Sequence, residues 1–163
     1  MSLQEKLDGF SIQELIETEK KILDKTPAKG MKQDGSSFRA MLNLSATNVD
    51  AKFQVYIRQH TTFDQNFSIG LNYIGSLGTV QLIRFNGPNK TKLDSIEDHH
   101  YYPHFHIEIG EEGSQNKLNH IEITDEYDDL KSALIHAVEK LNIVNCLTYF
   151  PEIDQTEIPL GDL

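Results

Sequence analysis

Between Ser11 and Lys25 the apolar positions recur at a helical period, with Ile12, Leu15, Ile16, Ile22 and Leu23 on one face and Glu14, Glu17, Lys20 and Lys21 on others. The spacing predicts an amphipathic helix over 11–25, with Ser11 as its cap, Glu14 completing a capping box and Phe10 stapled against Leu15. Residues 26–37 carry Pro27, Gly30 and Gly35 and read as a loop. From residue 38 the period falls to two. Phe38, Ala40, Leu42 and Leu44 alternate with polar or exposed-type residues, as do Phe53, Val55 and Ile57, and then Phe67, Ile69, Leu71 and Tyr73. Gly75 and Gly78 suit a hairpin turn into a strand over Val80–Phe85, so residues 38–86 predict a four-stranded antiparallel meander.

A polar stretch, 87–100, separates the meander from a strand expected over Tyr102–Ile109, and Lys117–Ile123 reads as one more short strand. Tyr127, Leu130, Leu134, Ala137, Val138 and Leu141 then draw a second amphipathic helix over 125–142, capped at Thr124 or Asp125. Asp125, Glu126, Asp128 and Asp129 would fall in its first turn, where carboxylates favour the positive end of the dipole. Residues 143–163, with Pro151 and Pro159, read as an acidic extended tail. The expected fold is one α+β domain: an antiparallel sheet of about five to six strands over 38–123, with two amphipathic helices on one face.

Charge sharpens this picture. The chain of 163 residues has a formal net charge of −10, and residues 101–163 hold 3 Lys+Arg against 13 Asp+Glu, whereas residues 1–100 are balanced at 12 against 12. That balance argues against broad, nonspecific DNA binding, which depends on Lys and Arg displacing counterions. It leaves room for a local basic site that meets RNA, and for a basic protein partner on the acidic part. The single cysteine, Cys146, excludes an internal disulfide framework, and no leader-like or membrane-length apolar run is present, so a cytoplasmic setting without a membrane partner is expected.

Candidate chemistry concentrates in one run. His99, His100, His104 and His106 lie within eight positions, and on a strand His104, His106 and Glu108 would share a face at steps of about 6.6 to 6.8 Å. A metal site would use His104 and His106, completed by His99, His100, Glu108 or Glu111; His104, His106 and Glu111 match the opening half of a cupin-type pattern. A hydrolytic or phosphoryl-transfer site would instead use one imidazole as base and one as acid, with Arg84 steadying negative charge. Asn86, His99, His100, Tyr102 and Glu108 are the accompanying ligand-binding candidates. Arg84 and Asn86 end the strand before the polar stretch, and pairing of that strand with the histidine strand would bring them to the same edge. A further reading has the histidines merely covering an apolar sheet face. His60, His120 and His136 stand apart in sequence and read as surface residues, and Cys146 as a buried thiol. No cofactor is indicated by the residues.

The order Glu17-Thr18-Glu19-Lys20, a β meander, Arg84-Phe85-Asn86-Gly87-Pro88, Pro103-His104-Phe105-His106-Ile107 and Leu141-Asn142-Ile143 resembles an uncharacterised family of bacterial and phage proteins, over roughly residues 11–146. The resemblance implies the order of elements rather than an activity. Arg84, Pro88 and the Pro103 to His106 segment are also similar to part of the TumE-like toxins of bacterial toxin-antitoxin pairs, which implies a toxin-like or nucleic-acid-acting role. The expectation is therefore a bacterial or phage accessory protein whose His104 and His106 face contacts a polar ligand, RNA or a protein partner. The alternatives are an antitoxin-like binding module acting through its acidic C-terminal part, and a metal-binding protein.

Overall fold

The structure, a computed structural model, describes residues 2–23, 32–63, 65–87, 104–107, 120–123, 127 and 129–145; for Lys32, 104–107 and 120–123 only the backbone is described. The elements are α1 (Leu3–Lys6), α2 (Ile12–Glu17), β1 (Lys20–Ile22), β2 (Lys32–Asp34), β3 (Ser37–Ala46), β4 (Lys52–His60), β5 (Phe67–Gly75), β6 (Gly78–Asn86), β7 (His104–Ile107), β8 (His120–Ile123) and α3 (Leu130–Lys140). The strands form one antiparallel sheet in the order β1-β3-β4-β5-β6-β7-β8, with β2 also on β3. The six strands expected over 38–123 are β3 to β8. Two three-residue strands, β1 and β2, extend the sheet beyond them.

Alternation is what drives the meander. Phe53, Val55 and Ile57 of β4 are buried between Leu42 and Leu44 of β3 and Ile69, Leu71 and Tyr73 of β5, in the register Leu44–Phe53–Tyr73 and Leu42–Val55–Leu71. The β5–β6 hairpin closes on Ser76 and Leu77, with Gly78 at φ 127°, a backbone region open to glycine. Asp8 ties the hairpin down: its carboxylate accepts hydrogen bonds from the Tyr73 hydroxyl at 2.6 Å and from the Ser76 backbone N–H at 3.0 Å, and from the Ser76 hydroxyl.

The first helix is shorter than its periodicity predicts. It ends at Glu17, and Thr18 turns extended, so the expected helix over 11–25 is replaced by α2 followed by β1. The cause is Lys20, which is fully buried and donates from Nζ to the carbonyls of Ile16 (2.7 Å), Thr18 (2.9 Å) and Leu141 (2.8 Å). One ammonium thus satisfies carbonyls at the ends of α2 and α3 and sits 5.0 Å from the centre of the Phe53 ring. Beyond it, Ile22 is buried opposite Leu44 while Leu23 is 44% exposed, an alternation that only a strand produces.

The other edge of β1 is occupied by the chain after α3. Lys20 N–H bonds the Asn142 carbonyl and Val144 N–H the Lys20 carbonyl, and the Asn145 side chain exchanges two bonds with the Ile22 backbone. Residues 143–145 are therefore docked rather than the start of an extended tail. Likewise, Lys32–Asp34 lies in the stretch expected to be loop but pairs with Ser37–Arg39 as the first arm of a hairpin. The second helix starts at Leu130, five residues later than expected. Asp129 is its cap, accepting from the Ser132 N–H at 2.7 Å, while Ser132 Oγ accepts from the Asp129 N–H. Asp125, Glu126 and Asp128 lie outside the described residues.

Among the described residues, twenty-five buried hydrophobic residues, drawn from the sheet, α2, α3 and the segments beside them, join in one cluster. His136 of α3, expected on the surface, is half-buried, with its ring 5.6 Å from Phe85 and 5.9 Å from Tyr127. His60 accepts at Nδ1 from the backbone of Thr62 and Phe63 and so caps the turn after β4. Among the described residues no helix is long and apolar enough to cross a membrane.

Candidate functional site

Strand register assembles a polar surface from residues far apart in sequence. Two rows cross the sheet from β3 to β7: Arg39–Arg58–Ser68–Asn86–His104 and Met41–Tyr56–Gly70–Arg84–His106. Successive positions on a strand alternate between faces, so these rows occupy the face opposite Val55, Ile57, Ile69 and Phe85. The pairing of β6 with β7 sets Arg84 opposite His106 and Asn86 opposite His104. The side chains of His104 and His106 are not described, nor are His99, His100, Tyr102, Glu108 and Glu111, so the proposed metal set lies outside the described residues. Among the described residues no group of three or more His, Cys, Asp or Glu is placed to hold a metal ion.

Asn86 is the best-anchored member. It is 7% exposed, and the Tyr127 hydroxyl accepts from its backbone N–H at 3.1 Å and donates to its carbonyl at 3.0 Å. Burial pushes the Tyr127 phenol up, keeping it neutral as both donor and acceptor. On the polar face, Arg58 Nη2 donates to Asn66 Oδ1 at 2.8 Å and to Ser68 Oγ at 3.1 Å, and Ser68 Oγ donates to Asn86 Oδ1 at 2.7 Å. This chain of bonds fixes the amide orientation and aims Asn86 Nδ2 away from Ser68. Among the described residues Nδ2 has no hydrogen-bond partner, and neither does the buried Nε of Arg84 two residues earlier on the same face. A buried donor left unsatisfied costs about 1–3 kcal/mol. Both of these donors sit on the polar face of β6, at positions 84 and 86.

The arginines make that place positive. Burial and the neighbouring charges of Arg39 and Arg84 both depress the Arg58 guanidinium, and among the described residues the only ion pair in this region joins Arg39 to Asp34 at 3.4 Å. Between the arginines lies Tyr56. Its ring crosses directly over Gly70, where any Cβ would fall on the ring atoms, and its hydroxyl accepts from Gln81 Nε2 and also bonds the Arg84 side chain. Burial pushes the phenol up, partly offset by the charge of Arg84.

Of the residues singled out from the sequence, the fold brings Arg84 and Asn86 together and sets the backbone positions of His104 and His106 beside them. Tyr56, Arg58, Ser68 and Tyr127 were not anticipated. The only sequence signal for the first three was their shared phase in the alternating strands, and its meaning depends on register. No family model matches the sequence, and no curated protein or solved structure matches it either.

Proposed function

We propose that the polar sheet face binds an oxyanion, in chemical class a phosphate group, between Arg84 and Asn86. The two buried donors without partners among the described residues carry the reading, because an anion supplies acceptors and meets the charge of Arg84 and Arg58. His104 and His106, whose backbone positions are registered opposite Asn86 and Arg84, are read as further members of the site. Helices α2 and α3 are read as covering the other face, supported by the burial of Leu15 and Ile16 of α2 in the cluster that holds Phe53 and by the contact of His136 of α3 with Phe85, which leaves the polar rows to the ligand.

The biological setting is read from the resemblance to the bacterial and phage family: a cytoplasmic accessory protein, its acidic total restricting anion binding to this local patch. The metal and acidic-partner readings draw on residues outside the described ones, whereas orphaned donors call for an acceptor and not for a cation.

Calorimetric titration with pyrophosphate tests the proposal. Binding is expected to weaken as salt rises and to fall about tenfold to a hundredfold in Arg84→Gln, with the melting temperature followed alongside. Equal affinity in Arg84→Gln, or binding of stoichiometric zinc in place of any anion, would contradict it.

A further inference from the structure

Resting on that reading of the face as an anion site, we infer that its ligand is a nucleotide unit, with the base stacked on Tyr56 and the phosphate held at Arg84 and Asn86. The inference starts from Gly70. A phenol ring on an antiparallel sheet ordinarily stands off the backbone, with Cβ groups of the neighbouring strand beneath it. Here position 70 has no Cβ, and the Tyr56 ring passes so close that a Cβ there would overlap its Cε1, Cζ and hydroxyl oxygen. The hydroxyl end of the ring therefore lies against the sheet. Tyr56 remains half-buried rather than fully covered, and its cross-strand neighbour Met41 is 57% exposed.

The hydroxyl is held by Gln81 Nε2 and by the Arg84 side chain, which fixes the ring beside the guanidinium. A rigid aromatic surface and a cation with an unused buried donor thus adjoin on one face. An inorganic anion would use the second alone. A planar base joined to a phosphate uses both, and base stacking on an aromatic side chain accepts any base because each has a π face. Antiparallel sheets that present aromatics to splayed bases recognise single strands in this way. The polar groups flanking the ring, Arg58 and Gln81 among them, supply donors to base edges or to a second phosphate.

Fluorescence and calorimetric titrations of the full chain with three probes test this: pyrophosphate, uridine monophosphate and a labelled eight-residue oligouridylate. Tyr56→Leu is the main variant and Tyr56→Phe the second, with melting temperature followed in both. Expected is a loss of about 5- to 100-fold for the nucleotide probes in Tyr56→Leu beyond any change in pyrophosphate affinity, with stacking retained in Tyr56→Phe. Tighter binding of the oligomer than of the monophosphate identifies single-stranded nucleic acid as the source of the nucleotide; equal binding identifies a free nucleotide. Pyrophosphate binding that persists while Tyr56→Leu leaves the nucleotide probes untouched overturns the stacking inference and spares the anion site. Absence of binding by all three probes overturns both. Should Tyr56→Leu melt early, Tyr56→Phe together with quenching of tyrosine fluorescence by uridine monophosphate carries the decision, and no quenching counts against stacking.

Discussion

The hydroxyl of Tyr127 both accepts from the backbone N–H of Asn86 and donates to its carbonyl, so a residue just ahead of α3 closes the end of β6 from 41 positions away. Tyr127 is buried between the rings of Phe67 and Phe85, at 6.0 and 6.3 Å. Tyr127→Phe keeps that packing and leaves two backbone groups of Asn86 without this partner. The expected loss is about 1–3 kcal/mol in denaturant unfolding, accompanied by weaker pyrophosphate binding because the Asn86 amide loses its anchor. Unchanged stability would show that these backbone groups find other partners.

Lys20 predicts a pH dependence. Burial pushes its ammonium down to about 7 from the ordinary 10.5, although three carbonyls favour the charged form. Between those values the unfolded chain holds a proton that the folded chain releases, so stability rises with pH across this window and is least below pH 7. Lys20→Met should remove that slope. It should also destabilise the protein by about 2–5 kcal/mol, because the carbonyls of Ile16, Thr18 and Leu141 lose their donor. Urea midpoints at pH 7, 8 and 9 check both; parallel pH profiles for the two proteins would rule out the titration.

Asp129 works in the opposite direction at low pH. Hydrogen bonds from the backbone and side chain of Ser132 hold its carboxyl below the ordinary 3.8, so its contribution is complete above that value and disappears as pH falls through the depressed one. Asp129→Ala should lower stability by about 0.5–2 kcal/mol at pH 7, and less as the pH approaches 2. A constant difference between the two proteins across pH 2 to 7 would mean that the carboxylate form does not provide the cap.

The long strands were legible because Phe53, Val55 and Ile57 alternate over a single buried face. The end of α2 was not, since Ile12, Leu15, Ile16 and Ile22 fit a helix, and the bond that ties the turn after α2 to α3 runs from Lys20 to Leu141, 121 positions distant. β2 escaped notice because Lys32, Gln33 and Asp34 form a polar arm with no apolar alternation. At the start of α3 the sequence points to Thr124 or Asp125 as the cap, and only the geometry at Ser132 selects Asp129. For the site, Arg84 and Asn86 stood out as polar residues at a strand end. Tyr56 and Arg58 could not be tied to them before the register Tyr56–Gly70–Arg84 was known, and nothing in a single sequence marks Gly70 as the position a ring will cross.

The anion site itself is tested most directly by nuclear magnetic resonance of the side-chain N–H groups as pyrophosphate is added. The Arg84 Nε–H and Asn86 Nδ2 signals are expected to shift together and saturate at one equivalent, while the Arg39 Nε–H signal, from the guanidinium already paired with Asp34, stays in place. Arg84 and Asn86 signals that do not move while exposed lysines and Arg39 do would show that the anion settles elsewhere.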